Sequence, residues 1–250
     1  MNGRAELVML GGWGVSAAIF DRLATGLGWA SSIRQIDLPG HDDADGSSPG
    51  ANLEDWAGAM LEQASGTTWL GWSLGGMVAI RAALDHPQRV RRLVLLATGA
   101  TYPCRDDWPW GMDALALERF KTAVNESPHN ALRQFNGWQV AGSEHARETL
   151  GILNENAEMH PSARRGLVDG LAILRDADLR PELGRLDIPV LMVAGTEDRV
   201  VLAESVRRTA ALMPNAVLHE IPGAGHAAFL SHQAQVLEAM REFIEQDRAA

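Results

Sequence analysis

Short apolar runs recur along the chain, separated by stretches with helical spacing. Leu7–Leu10, Ser32–Asp37, Thr67–Trp72, Arg92–Ala97, Pro189–Ala194 and Ala216–Ile221 are strand-sized, and Gly, Pro or Asp flanks most of them. Continuous apolar runs of this length predict strands buried on both faces. Residues 15–27, 52–65, 74–86, 201–213 and 233–247 carry the spacing of helices. Strands alternating with helices predict a mostly parallel sheet covered on both sides, an α/β architecture. The rhythm breaks from Tyr102 to Arg180, where helical spacing continues without a convincing strand and Trp108, Trp110, Phe135 and Trp138 are interspersed. An insertion of roughly 80 residues at this point reads as a helical cap, not a loop. The expected division is a core of residues 1–101 and 181–250 and a cap of 102–180. A small helical subdomain with no binding role has the same signature.

Chemistry concentrates at the ends of the expected strands. Gly71-Trp72-Ser73-Leu74-Gly75 follows one strand and opens a helix. The G-x-S-x-G pattern places a serine on a strained turn, with glycines where neighbouring chain must come close. A serine hydroxyl needs a base to become a nucleophile, and the base needs an acid to orient it. The expected order on this architecture is Ser, Asp or Glu, then His. Asp198 follows the strand ending at Ala194, and His226 follows the strand ending at Ile221 through Pro222-Gly223-Ala224-Gly225. Both sit where ligands bind in open α/β sheets, beyond the carboxyl ends of strands. Glu197 is the competing acid. His219 and His232 lie within the last strand and at a helix start, and Asp187 lies at the wrong end of its strand. An oxyanion site takes one amide from Leu74 and a second from the glycine cluster Gly11-Gly12-Trp13-Gly14. A tight turn without chemistry is the lesser reading of that cluster, and a dinucleotide site is rejected because no third glycine sits at the required spacing.

Composition narrows the classes. Thirty-two acidic side chains against twenty-two basic ones leave a net charge of −10, which argues against a nucleic-acid partner. Cys104 is the single cysteine, so no intrachain disulfide and no cysteine-based zinc site can form. Apolar runs stay far below the roughly 18 residues that span a membrane. With only Leu7–Leu10 apolar near the start, a secretory signal is not expected and the cytoplasm is the default compartment. No metal and no cofactor is expected.

At these residues the chain resembles α/β-hydrolases, and more closely the pimeloyl-[acyl-carrier protein] methyl ester esterases of biotin synthesis. The likeness runs through Gly12-Trp13-Gly14, Asp37-Leu38-Pro39-Gly40, Leu70-Gly71-Trp72-Ser73-Leu74-Gly75-Gly76, Arg105-Asp106-Asp107-Trp108-Pro109, Gly170-Leu171-Ala172-Ile173-Leu174, Asp178-Leu179-Arg180 and His226 with Phe229 and Ser231-His232. The resemblance implies a cap inserted after the sixth-strand position of the family's sheet. It also implies Ser73 as nucleophile, Asp198 as acid, His226 as base, and Trp13 and Leu74 as oxyanion amides. Phe135-Asn136-Gly137-Trp138-Gln139 matches the family's substrate-contacting stretch at its Phe and Gln ends. Gly11 stands where the family usually has His. The family docks an acidic carrier protein through cap arginines; Arg147 falls in line with these, and Arg133 is a second candidate. Yet between Pro103 and Asp178 there are eight basic residues against twelve acidic ones.

The expectation is a monomeric serine carboxylesterase that cleaves an acyl methyl ester, presented on an acyl-carrier protein, through an acyl-enzyme. A general small-acyl carboxylesterase or thioesterase is the alternative. A ligand receptor on a hydrolase fold is the reading from another class.

Overall fold

The computed structural model of the chain describes residues 5–41, 48–157, 160 and 163–249. Six strands form one sheet: β1 (Ala5–Leu10), β2 (Ala30–Ile36), β3 (Thr68–Trp72), β4 (Arg92–Leu96), β5 (Val190–Gly195) and β6 (Ala216–Ile221). Their order is β2-β1-β3-β4-β5-β6 and every pairing is parallel. The pleat explains the continuous apolar runs. Val8, Leu10, Trp69, Leu93, Leu95, Val190 and Met192 point to one face, and Leu7, Met9, Leu70, Val94, Leu96, Leu191 and Val193 to the other. Both faces of the inner strands are covered, so both their registers are apolar, while the edge strands β2 and β6 are only partly buried.

Helices α2 (Leu53–Gln63) and α3 (Leu74–Asp85) cover the first face, and α10 (Gln233–Ala249) packs Val236, Met240 and Ile244 on the second. Short α1 (Asp21–Ala24) joins them there through Leu23. The single helix expected over 15–27 is instead a one-turn 3-10 segment, Ala17–Phe20, running into this four-residue α1. Its entry is fixed by tertiary bonds: Ser16 caps Ala18 N–H, and Asp37 Oδ1 accepts Ala17 N–H at 2.5 Å. The edge strand β2 starts two residues earlier than expected and stops before Asp37, which is turned to that bond.

Between β4 and β5 come α4 (Ala114–Glu126), α5 (Pro128–Val140), α6 (Ala146–Glu155) and α7 (Arg164–Asp176), then a 3-10 turn at Leu183–Arg185; the β-pairing within this stretch is confined to isolated bridges among the described residues. The chain enters and leaves this stretch side by side. Thr101 bridges Asp178, and Leu179 N–H donates to Ala100 O at 2.9 Å. Arg180 ties the neck by pairing with Asp178 at 2.7 Å and Asp107 at 2.8 Å. Beyond β5 lie α8 (Ala203–Ala211) and the single turn α9 (Ala228–Ser231).

Candidate active site

Ser73 occupies the corner between β3 and α3 with φ 56° and ψ −117°. A non-glycine residue is held there only when its surroundings over-determine it. Here they do. Ser73 N–H donates to Leu96 O on β4 at 2.9 Å, and Thr98 Oγ1 donates to Leu96 O at 3.0 Å. The flanking glycines are required by close approach: a Cβ on Gly71 would stand 2.5 Å from Gly75 O, and one on Gly75 would collide with Gly11 O. Leu74 is the first residue of α3, so its N–H is among the helix-start donors that no carbonyl within the helix takes.

Asp198 lies just past β5, and its two oxygens are divided. Oδ1 accepts the amides of Val200 at 2.8 Å and Val201 at 3.0 Å, while Oδ2 faces His226 Nδ1 at 2.8 Å. Both side chains are about 1% exposed. A carboxylate that only accepts places the imidazole proton on Nδ1 and leaves Nε2 as an acceptor. Nε2 is buried and has no hydrogen-bond partner among the described residues. The His226 loop is built against the serine corner. Trp72 Nε1 donates to His226 O at 3.0 Å, and the two rings lie 5.4 Å apart. From the far side, His226 N–H donates to the main-chain oxygen of Gln139 at 3.0 Å, and Glu144 N–H to Gly223 O at 2.8 Å. Tyr102, the chain's one tyrosine, is buried nearby; burial and the negative Asp198 both push its hydroxyl pKa upward.

The competing residues stand apart. Glu197 is exposed beside Thr196 Oγ1. His219 is paired within β6, and His232 Nδ1 faces Ser231 Oγ at 2.8 Å. Asp187 accepts from Asn215 ahead of β5.

Trp13 follows β1 in a loop whose next residue, Gly14, has φ +76°. Its indole donates to Leu167 O on α7 at 2.8 Å and packs edge-on against Phe120 and Phe135 at 5.4 and 5.2 Å. Trp138 extends this aromatic wall. In the 135–139 stretch, Asn136 turns to Asn154 at 3.1 Å, and Gln139 donates to Asn136 at 2.9 Å while its own side-chain oxygen is buried without a partner among the described residues. A Cβ on Gly137 would meet only open space. Arg133 on α5 and Arg147 on α6 are exposed.

The sequence reading named Gln139 only within the substrate-contacting stretch and did not name His41. Gln139 enters through its main-chain carbonyl, which no side-chain pattern reveals. His41 accepts the Gly14 amide at 3.1 Å; it directly follows Asp37-Leu38-Pro39-Gly40, and that adjacency was the available signal.

The sequence profile of the α/β hydrolase fold matches residues 7–233. The chain belongs to that family. This hydrolase is 35% identical to the pimeloyl-[acyl-carrier protein] methyl ester esterase of Shewanella woodyi, over 96% of the chain and 93% of the relative. It is 33% identical to the one from Stenotrophomonas maltophilia, over 96% and 92%. In structure it is similar to an esterase from Exiguobacterium antarcticum, with a TM-score of 0.84 at 22% identity over 96% of this chain and 92% of that one. The likeness read from the motifs therefore extends over nearly the whole chain.

Proposed function

We propose that this hydrolase is a serine carboxylesterase that cleaves the methyl ester of a pimeloyl group carried on an acyl-carrier protein. One observation carries the reading: a strained serine corner is packed against a buried Asp198–His226 pair whose Nε2 is left bare. In the mechanism, Nε2 of His226 takes the Ser73 hydroxyl proton as Oγ attacks the ester carbonyl. Amides of Trp13 and Leu74 take the oxyanion. His226 then returns the proton to the leaving methoxide, methanol departs, and water repeats the cycle on the acyl-enzyme. Asp198 holds the ring and offsets its transient charge.

Residues 102–180 serve as the cap over a core of 1–101 and 181–250. Phe135, Asn136, Gly137, Trp138 and Gln139 form its substrate-facing stretch, and Phe135 already packs on Trp13. Arg133 and Arg147 are exposed to meet the acidic carrier. Serine, acid, base and both amides come from one polypeptide, which fits a monomer working in the cytoplasm. The acidic excess of the cap favours the second reading, a general small-acyl esterase or thioesterase.

The deciding experiment compares pimeloyl-carrier methyl ester with p-nitrophenyl butyrate. The carrier ester should have a kcat/KM at least about ten-fold higher, a difference of about 1.4 kcal/mol in transition-state binding. Equal values would favour the general esterase, and no turnover of either would defeat both.

A further inference from the structure

The loop that carries Trp13 is held from behind by the loop after β2. Gly14 N–H donates to His41 Nε2 at 3.1 Å, and Ala17 N–H donates to Asp37 Oδ1 at 2.5 Å. His41 is fully buried, with Nδ1 at 3.2 Å from Pro39 O and its ring edge-on to Trp56 at 6.0 Å. These neighbours fix a single tautomer. A carbonyl can only accept, so Nδ1 carries the proton; an amide can only donate, so Nε2 is bare. Burial lowers the His41 pKa to about 4, which keeps the ring neutral at neutral pH.

The geometry has a direct bearing on Trp13. Gly14 N–H lies in the peptide plane that carries the Trp13 carbonyl; the Trp13 N–H sits one plane earlier, so the bond reaches it through the φ and ψ of Trp13, and a glycine at φ +76° would swing widely without an anchor. The Trp13 indole is anchored separately on Leu167 O, so its side chain cannot set the plane by itself. An oxyanion donor works only within about 2.7–3.1 Å of the developing charge, and losing one costs about 10²- to 10³-fold in kcat.

We propose that His41 is a positioning residue for ester hydrolysis: as the Nδ1–H tautomer it accepts the Gly14 amide and so aims the neighbouring Trp13 amide at the oxyanion. This rests on the reading of Trp13 as an oxyanion donor. A purely structural histidine would affect stability alone. One that aims a donor affects the transition state more than the bound substrate.

The test uses His41→Phe, which keeps the ring volume and removes the acceptor, and His41→Gln, whose amide oxygen can take Gly14 N–H while its NH2 reaches Pro39 O. With p-nitrophenyl butyrate, His41→Phe should lower kcat about 10- to 100-fold with KM within about two-fold, the signature of an interaction made only in the transition state. His41→Gln should recover kcat to within about five-fold of wild type, since the hydrogen bond is restored. Phosphonylation of Ser73 by a p-nitrophenyl alkylphosphonate, which builds the same oxyanion geometry, should slow in parallel. Unchanged kcat in a folded His41→Phe would overturn the proposal, as would a loss that His41→Gln does not repair. If His41→Phe does not fold, His41→Gln kinetics carry the test and the wild-type tautomer can still overturn it. Imidazole ¹⁵N–¹H correlation should show His41 protonated on Nδ1, and protonation on Nε2 would overturn the proposal. Ser73→Ala separates the two levels: if it keeps activity, the site reading itself has failed. If it is inactive while His41→Phe is unimpaired, only the role of His41 falls.

Discussion

Asp198 shows how much one side chain can be asked to do. Its Oδ1 is occupied by two amides, so the carboxylate cannot rotate away from His226. Asp198→Asn would keep the shape but present an NH2 or a neutral oxygen to Nδ1, disturbing the tautomer; kcat should fall about 10²- to 10⁴-fold. Ser73→Ala and His226→Ala should each cost about 10³-fold or more with unchanged circular dichroism. Retained activity in Glu197→Gln beside a dead Asp198→Asn would exclude Glu197 as the acid. His41 makes a separate prediction about acid stability. Its pKa is lowered to about 4 from 6.5, so between those values the unfolded chain binds a proton that the folded one refuses. Its contribution is present in full above pH 6.5 and is lost as pH falls toward 4, in total about 3 kcal/mol. Urea midpoints measured from pH 7 to 4.5 should fall less steeply in His41→Gln than in wild type. The Ser73 corner and the Asp198–His226 pair were legible as candidates because each follows a strand and their chain order is constrained. His41 carried only the weaker signal of following Asp37-Leu38-Pro39-Gly40, because its bond to Gly14 N–H joins it to a loop from a different strand.

At the scale of elements, the inner strands were legible because both their faces are buried and their runs are apolar, whereas the edge strands β2 and β6 are more polar and only partly buried. Their ends moved by one or two residues where a side chain was claimed elsewhere, as Asp37 is claimed by Ala17 N–H. Residues 15–27 misled for the same reason. Helical spacing there is real, but the start is dictated by Ser16 and Asp37, and tertiary bonds outrank propensity. The turn from β3 to α3 is the least forgiving joint. Gly75→Ala would drive a methyl group into the main chain of Leu10 and Gly11, the same loop that leads to Trp13. Overpacking of this kind costs about 1–3 kcal/mol. The melting temperature should drop, and kcat should fall with it because the displaced backbone carries Leu74 on one side and Trp13 on the other. A variant with normal kcat would mean that the two loops are not mechanically joined.

For the molecule as a whole, net charge and the proposed carrier docking pull in opposite directions. The net charge of −10 repels an acidic carrier at long range, whereas charges more than about 8 Å apart are largely screened at physiological salt. Local arrangement then decides. Arg147→Glu, alone or with Arg133→Glu, should raise KM for a carrier-bound ester several-fold and leave p-nitrophenyl butyrate hydrolysis within about two-fold. Equal effects on both substrates, or none, would remove the carrier from the picture. Whole-molecule charge was readable from composition, but the contact between the 139–144 turn and the His226 loop was not, because it joins residues far apart in sequence through main-chain atoms.

The closed neck at Thr101 and Asp178 has a consequence for a cut chain. β4 and β5 are neighbours in the sheet, yet everything between them leaves and returns at one point. A protease that nicks after exposed Glu144 therefore severs a loop and not a strand. Residues 1–144 and 145–250 would remain zipped through the β4–β5 ladder, the neck and the two cores, co-eluting as one particle on a sizing column and parting only in denaturant. The break would fall within the turn that braces the His226 loop, so a hydrolase in two pieces should still look whole by size while its turnover reports the wound.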